Sequence, residues 1–375
     1  MPDADRLPCL ANLASSPNGP CATPSGRRPP FPVWWVAVHS LACGLLLSGC
    51  GAAYIWHVTI GQAKLLTRQQ PVQTVLQDPQ LPAQEGQKIR LILDVKTFAV
   101  EHLGLRPSRN YTTFVRVDGP YVSYNLSAAT KDALQPYIWR FPIIGRLPYK
   151  GFFNKEYALR EEQQLVEQGY DTYVRGIRAF STLGYFKDPI LSCMLTYDDF
   201  SLINTIIHEL LHQTVWIKRN VSFNESLASF VGDKGTLAYL TWRYGSGSQE
   251  VQSYQDFLDD SKVFEAYVQA LIERVESLYR EAISREEKLQ RREQLFTEAK
   301  TAYPDLFPQM KTAAYRRFFE RRPLNNAVLL SLHRYNRDMT FFEHTLAAHG
   351  GDLRQMILAF TTLRPDQIPT TFRTQ

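Results

Sequence analysis

The sequence predicts an α+β fold: a small mixed sheet, a pair of helices that carries the active site, and a largely helical C-terminal part. Three observations lead there. The stretch Leu202–Trp216 is a strong amphipathic helix and contains His208-Glu209-Leu210-Leu211-His212. Short β-branched and aromatic runs precede it, and from about Gln249 onward the pattern is helical. The chain has 375 residues, 44% of them hydrophobic and 21% charged, so a sizeable core can form. A formal net charge of +5 without any dense Lys/Arg stripe argues against nucleic acid as a partner.

Taken in order, residues 1–30 are polar and rich in Pro, Ser and Gly, ending in Arg27-Arg28-Pro29-Pro30. An apolar stretch from Phe31 to Gly49 follows, the layout of a secretory signal. It closes on Leu47-Ser48-Gly49-Cys50, which resembles a bacterial lipobox. That resemblance implies cleavage before Cys50, two acyl chains anchoring it, and a body held in the cell envelope, at the outer membrane facing the periplasm. The alternative is an uncleaved membrane helix extended through Trp56. The cysteines are Cys9, Cys21, Cys43, Cys50 and Cys193, and no pair has CxxC spacing, which leaves no thiolate metal site.

Residues 50–88 read as a tether with an early helix around Ile60–Arg68, and 89–245 as the catalytic region. Ile89–Leu103 has the helical period. Tyr111–Val117 and Tyr121–Leu126 flank Asp118-Gly119-Pro120 and read as a β-hairpin. Leu134–Phe141, Tyr149–Phe153, Asp171–Ile177 and Ile190–Leu195 read as strands, and Lys155–Glu167 as a helix stopped by Gly169. Asn224–Leu240 is a second helix after the His-bearing one. Residues 246–375 form the helical C-terminal region, with Gln249–Arg317 helical throughout and further helices at Asn326–His333 and Thr340–His349. The charge run Ser284–Gln294 reads as a solvated face.

His208 and His212 are four residues apart, so on a helix both imidazoles project from one face toward one ion. Glu209 then lies beside the metal, where it can take a proton from bound water and pass it to a leaving amine. Zn2+ suits that chemistry, and the arrangement reads as a zincin-like metallopeptidase acting on peptides. Ile203, Ile206, Ile207, Leu210 and Leu211 anchor the helix in a core. The third ligand expected is Glu225 on the next helix, whose alternative is an ordinary glutamate favoured by the helix dipole. Asp233, two turns on, is a candidate for orienting a ligand histidine. Oxyanion donors are open among Tyr239, Tyr244, His333 and Tyr335. Ile190–Leu195 is the expected edge strand for peptide addition, with Cys193 a small core residue.

The run HELLHQTVWIKRNVSFNESLASFVGDKG resembles the signature of a family of predicted bacterial zinc aminopeptidases, as do SYNLSAA, WRFPIIGRLPYKGFF, GIRAFSTLGYFKDPILSCML and LNNAVLLSLHRY. The resemblance spans about Arg90 to Asp352. It implies His208, His212 and Glu225 as ligands, Glu209 as base, and a lipoprotein-type N-terminus. Leu211 stands where that family often has a small residue. Two rival functions remain at this level: a non-catalytic metal-binding envelope lipoprotein, and a zinc hydrolase of a non-peptide amide. An intact Glu209 argues against the first, because binding needs only the ligands. Exo- against endopeptidase action, the natural substrate and the oligomeric state stay open.

Overall fold

The computed structural model describes residues 50–141, 145–179, 187–218, 220–320, 324–335 and 339–372. The segment read as a signal, residues 1–49, lies outside them, as do Ser181–Phe186 and the side chains of Cys50 and Tyr335. From Ile55 to Gln375 the chain is one compact unit. No helix among the described residues is long and apolar enough to cross a membrane.

The chain opens with α1 (Cys50–Thr67), the two-residue β1 (Gln70–Pro71), the short α2 (Val72–Leu76) and α3 (Ala83–Glu101). Helix α1 thus starts ten residues earlier than its polar–apolar pattern indicates. In α3, Ile89, Ile92, Val95, Phe98 and Ala99 recur at helical spacing and are all buried.

The expected hairpin does not form. Strand β2 (Thr113–Val115) and strand β3 (Ser123–Ala129) belong to different sheets. Strand β2 pairs antiparallel with β1 and parallel with β8 (Ile190–Leu191), whereas β3 lies between β6 (Lys150–Phe152) and β7 (Asp171–Ile177), antiparallel to both. The link between them is held outward: Asp118 forms a 2.7 Å ion pair with Arg68, Gly119 sits at φ 124°, and the Val117 N–H donates to Ser192 Oγ at 2.9 Å. β4 (Trp139–Phe141) and β5 (Gly145–Leu147) make a separate two-stranded ribbon, and α4 (Lys155–Glu167), capped by Asn154, packs beside β7.

Ile190–Leu195 is a strand only over its first two residues. Ser192–Thr196 turns into a 3-10 helix in which Thr196 Oγ1 donates to the Cys193 carbonyl at 2.8 Å. β8 is nonetheless the edge of its sheet, as expected of that segment, and Cys193 is buried.

Helix α5 (Asp199–Thr214) begins at Asp198, whose Oδ1 accepts from the Ser201 N–H at 2.9 Å. It ends at Val215, which is extended. Helix α6 (Val221–Tyr244) runs from a short loop to Gly245 at φ 89°. The two helices pack closely because α6 presents glycines. A Cβ on Gly232 would lie 3.0 Å from Asn204 Oδ1, and one on Gly235 3.0 Å from Ile207 Cγ2. Leu202, Ile203, Ile206, Ile207, Leu210 and Leu211 are all buried in a core shared with α3 and α6. Phe223 fixes the start of α6 by packing against Phe342, Phe360 and Phe372, with ring centroids 5.3–5.8 Å apart.

The C-terminal part comprises α7 (Gln249–Arg280), α8 (Arg285–Ala302), α9 (Asn326–Tyr335), α10 (Met339–Ala348) and α11 (Leu353–Thr361). Helix α11 is an addition to the sequence reading, and Gln249–Arg317 is not helical throughout: it breaks before Ser284, which caps α8, becomes a 3-10 helix over Tyr303–Gln309 and continues in turns. A second buried cluster forms here from Val268, Leu271, Ile272, Val275, Phe296 and Leu329. Arg292 of α8 ties this part to the sheet through a 2.8 Å ion pair with Asp171 of β7, both side chains being buried.

Candidate metal centre

His208 and His212 occupy successive turns of α5, and Glu225 lies in the first turns of α6 opposite them. Nε2 of His208 is 3.1 Å from Nε2 of His212. The Glu225 carboxylate is 3.5 Å from His208 Nε2 and 3.7 Å from His212 Nε2. All three offer a ligand atom within 4.8 Å of one another, and together they could hold a metal ion. A tetrahedral zinc with ligands at about 2.0–2.1 Å sets neighbouring ligand atoms about 3.3–3.4 Å apart, inside the spread observed. The donor set therefore fits such an ion without large movement.

The environment favours ligation. Burial pushes His212 down to about 4, so its imidazole is neutral and able to bind a cation. Burial also pulls on His208, but the hydrogen bond to Glu225 and the charges of Glu209, Glu225 and Asp233 outweigh it and leave it above its ordinary value. Two histidines and a carboxylate held this closely in a buried place form a nitrogen- and oxygen-lined cradle in which a divalent cation would displace the proton that Glu225 favours on His208. Trp216 packs edge-on to His212 at 5.4 Å and is 37% exposed, giving the site one apolar wall.

Glu209, one residue after the first ligand, is held up at about 7. Burial is the main cause, and the charges of Glu225 and Asp188 add to it against the pull of His208. A carboxyl poised near neutrality can accept and return a proton at the pH of most environments.

The loop between the two helices has a lock that the sequence reading passed over. Asn224, buried, accepts from the Ile217 N–H at 2.9 Å and donates to the Ile217 carbonyl at 2.8 Å. It thereby fixes where Glu225, its neighbour, enters α6. Asp233 does not hydrogen-bond a ligand histidine. Its Oδ1 accepts from Asn204 Nδ2 at 2.8 Å and Tyr254 OH at 3.3 Å, and it acts on His208 through its charge.

Among the expected oxyanion donors, Tyr239 is committed elsewhere, donating to Asp94 at 2.6 Å, and Tyr244 is exposed at the end of α6. His333 is half-buried on α9. A different tyrosine, Tyr111, feels the charge of Glu209. Tyr111 is 2% exposed, and its backbone is left-handed at φ 61°, a conformation costly for a bulky residue. Burial and the charges of Glu209 and Asp188 keep its phenol protonated well above the ordinary value. Its N–H donates to the Asp188 carbonyl at 2.7 Å, and Asp188 is fixed by two bonds with Asn110. No sequence pattern marks a tyrosine that will adopt that backbone.

Over residues 53–372 the chain matches the family model described as "Putative aminopeptidase". It belongs to that family. This aminopeptidase family match takes in all of α5 and α6, and with them His208, Glu209, His212 and Glu225. No curated protein and no solved structure matches the chain.

Proposed function

We propose that this member of the aminopeptidase family is a zinc-dependent peptidase that removes residues from peptide N-termini. The observation that carries the reading is the convergence of His208, His212 and Glu225, with Glu209 as the residue following the first histidine. Zinc, when bound, would polarise the scissile carbonyl and bring water to reactivity near neutral pH. His212, already neutral, and His208, on losing its proton, would hold it as imidazoles, and Glu225 would supply the carboxylate. Glu209 accepts the proton of the attacking water at its carboxylate and delivers it to the departing amine; its position near neutrality suits both transfers. Tyr111, buried and kept protonated in part by the charge of Glu209, is the donor assigned to the oxygen on which negative charge develops. Trp216 offers an apolar surface to a substrate side chain.

The test is digestion of matched peptides with free and acetylated N-termini, followed by mass spectrometry. Stepwise loss of N-terminal residues from the free peptides alone is the expected result. Internal cleavage of both would make the protein an endopeptidase.

The same proposal extends to place. Cys50 becomes the mature N-terminus and carries lipid, tethering the peptidase to a bacterial membrane in the cell envelope. The motive is the apolar stretch ending in LSGC. Metabolic labelling with an alkyne fatty acid should mark the wild type and leave Cys50→Ser unlabelled. Label on that variant would rule the anchor out.

A further inference from the structure

Arg178, directly after β7, is a cation that meets no counter-charge among the described residues. Its guanidinium lies over the ring of Tyr121 at 5.0 Å and over the ring of Tyr197 at 5.2 Å. No carboxylate lies within ion-pair distance of it among the described residues, and its buried Nε has no acceptor. Its backbone carbonyl accepts from Cys193 Sγ at 3.3 Å.

The clamp is built, not incidental. Tyr121 lies flat on Gly176, where a Cβ would sit 2.5 Å from three ring atoms, so only glycine permits that stacking. Two residues on, just past the end of β7, comes Arg178, whose guanidinium lies over the same Tyr121 ring. Tyr197 supplies the second ring, and its carbonyl is held by Lys88 Nζ at 2.7 Å. Aromatic faces orient a guanidinium and remove water from it without using its N–H donors, which leaves them available to a planar anion. A half-buried cation left without a partner is costly unless a ligand completes it.

The clamp adjoins two elements of the candidate site: the Arg178 carbonyl bonds Cys193, just past edge strand β8, and Tyr197 immediately precedes the Asp198 cap of α5. The Tyr197 phenol, pushed up mainly by burial, feels the charges of both Arg178 and Glu209.

We propose that Arg178, held between Tyr121 and Tyr197, is a subsite for a substrate carboxylate, selecting short peptides whose C-terminus, or an acidic side chain, reaches it. This rests on the peptidase reading above and adds a substrate class to it. The guanidinium donates to both carboxylate oxygens, so loss of the carboxylate weakens binding roughly 10–100-fold.

The experiment measures binding by calorimetry to the full zinc-loaded chain carrying Glu209→Gln, so that turnover does not intervene. Three probes are compared: trialanine, trialanine amide, and the amide of Ala-Asp-Ala. Trialanine should bind at least tenfold tighter than its amide, and Arg178→Gln should abolish that preference while leaving the amide's affinity unchanged. Arg178→Lys, which keeps the charge without the planar fork, should retain part of it, and unfolding temperatures check that each variant is folded. Strong binding by the Ala-Asp-Ala amide instead of trialanine assigns the subsite to an acidic side chain and still supports the proposal. Equal affinity for all three, or a preference that survives Arg178→Gln, overturns it. If the wild type cleaves no peptide yet the carboxylate preference depends on Arg178, the subsite stands and the peptidase reading falls.

Discussion

Asn224 closes a two-bond ring with the backbone of Ile217, taking its N–H at 2.9 Å and satisfying its carbonyl at 2.8 Å. The residue that follows it in the chain is the carboxylate that meets both histidines. The loop conformation and the metal centre are thus set by one side chain. Asn224→Ala should leave two buried backbone groups unpaired at a cost of about 2–4 kcal/mol and weaken zinc binding by misplacing Glu225. Denaturant unfolding and a competitive zinc titration check both effects. Full affinity with reduced stability would separate the lock from the site.

Asp233 gives a pH dependence. Burial, then the charge of Glu265, raises its carboxyl to about 7. A carboxyl raised above its unfolded value binds its proton more tightly in the fold, so stability falls as pH climbs from the unfolded pKa toward 7, and the full cost is present above it. Asp233→Asn keeps an oxygen for Asn204 and Tyr254 and removes that cost. In the metal-free protein the variant should be more stable than wild type at pH 8, by about 1–3 kcal/mol, and nearly equal at pH 4. Equal stability at both pH values would show that Asp233 ionises freely.

The ion pair of Arg292 and Asp171 fastens the C-terminal helices to the sheet. Arg292 Nη1 donates to Asp171 at 2.8 Å and to the Lys131 carbonyl at 2.8 Å, and the Asn326 N–H donates to the same Asp171 oxygen at 3.0 Å. Arg292→Met strands a buried carboxylate and should cost about 3–5 kcal/mol. Adding Asp171→Leu should restore part of that loss. Urea unfolding of the single and double variants reads it directly, and a loss below 1 kcal/mol would mean that the pair is solvated.

The parts that could be read from the sequence are those fixed by local periodicity. His208 and His212 share a face because four residues make about one turn, and the apolar row beside them marks the buried side of α5. Glu225 followed from the same logic on the next helix. What could not be read depends on distant partners. Tyr111–Val117 and Tyr121–Leu126 look like a hairpin because both runs have strand chemistry. Their actual neighbours, Gln70 and Ile190 for one and residues 171–177 for the other, leave no local trace. Ile190–Leu195 is apolar enough for a strand, yet the Thr196 hydroxyl and the Cys193 carbonyl bend it into a 3-10 turn. Tyr111 was missed because its position comes from a left-handed backbone held by Asp188, 77 residues away in the chain. Asp188 itself reads as a turn residue and is buried.

The central claim is that Glu209 works as a base beside a metal held by His208, His212 and Glu225. Gln at position 209 preserves size and leaves the three ligands in place, but it cannot accept a proton. The decisive measurement is zinc content by elemental analysis together with turnover of a peptide panel, for wild type, Glu209→Gln and His212→Ala. Wild type and Glu209→Gln should each carry close to one zinc per chain, with turnover in the variant lower by about 10²–10⁴-fold, and His212→Ala should lose the metal. Equal turnover in wild type and Glu209→Gln at matched zinc occupancy, or unchanged zinc in His212→Ala, would contradict the account.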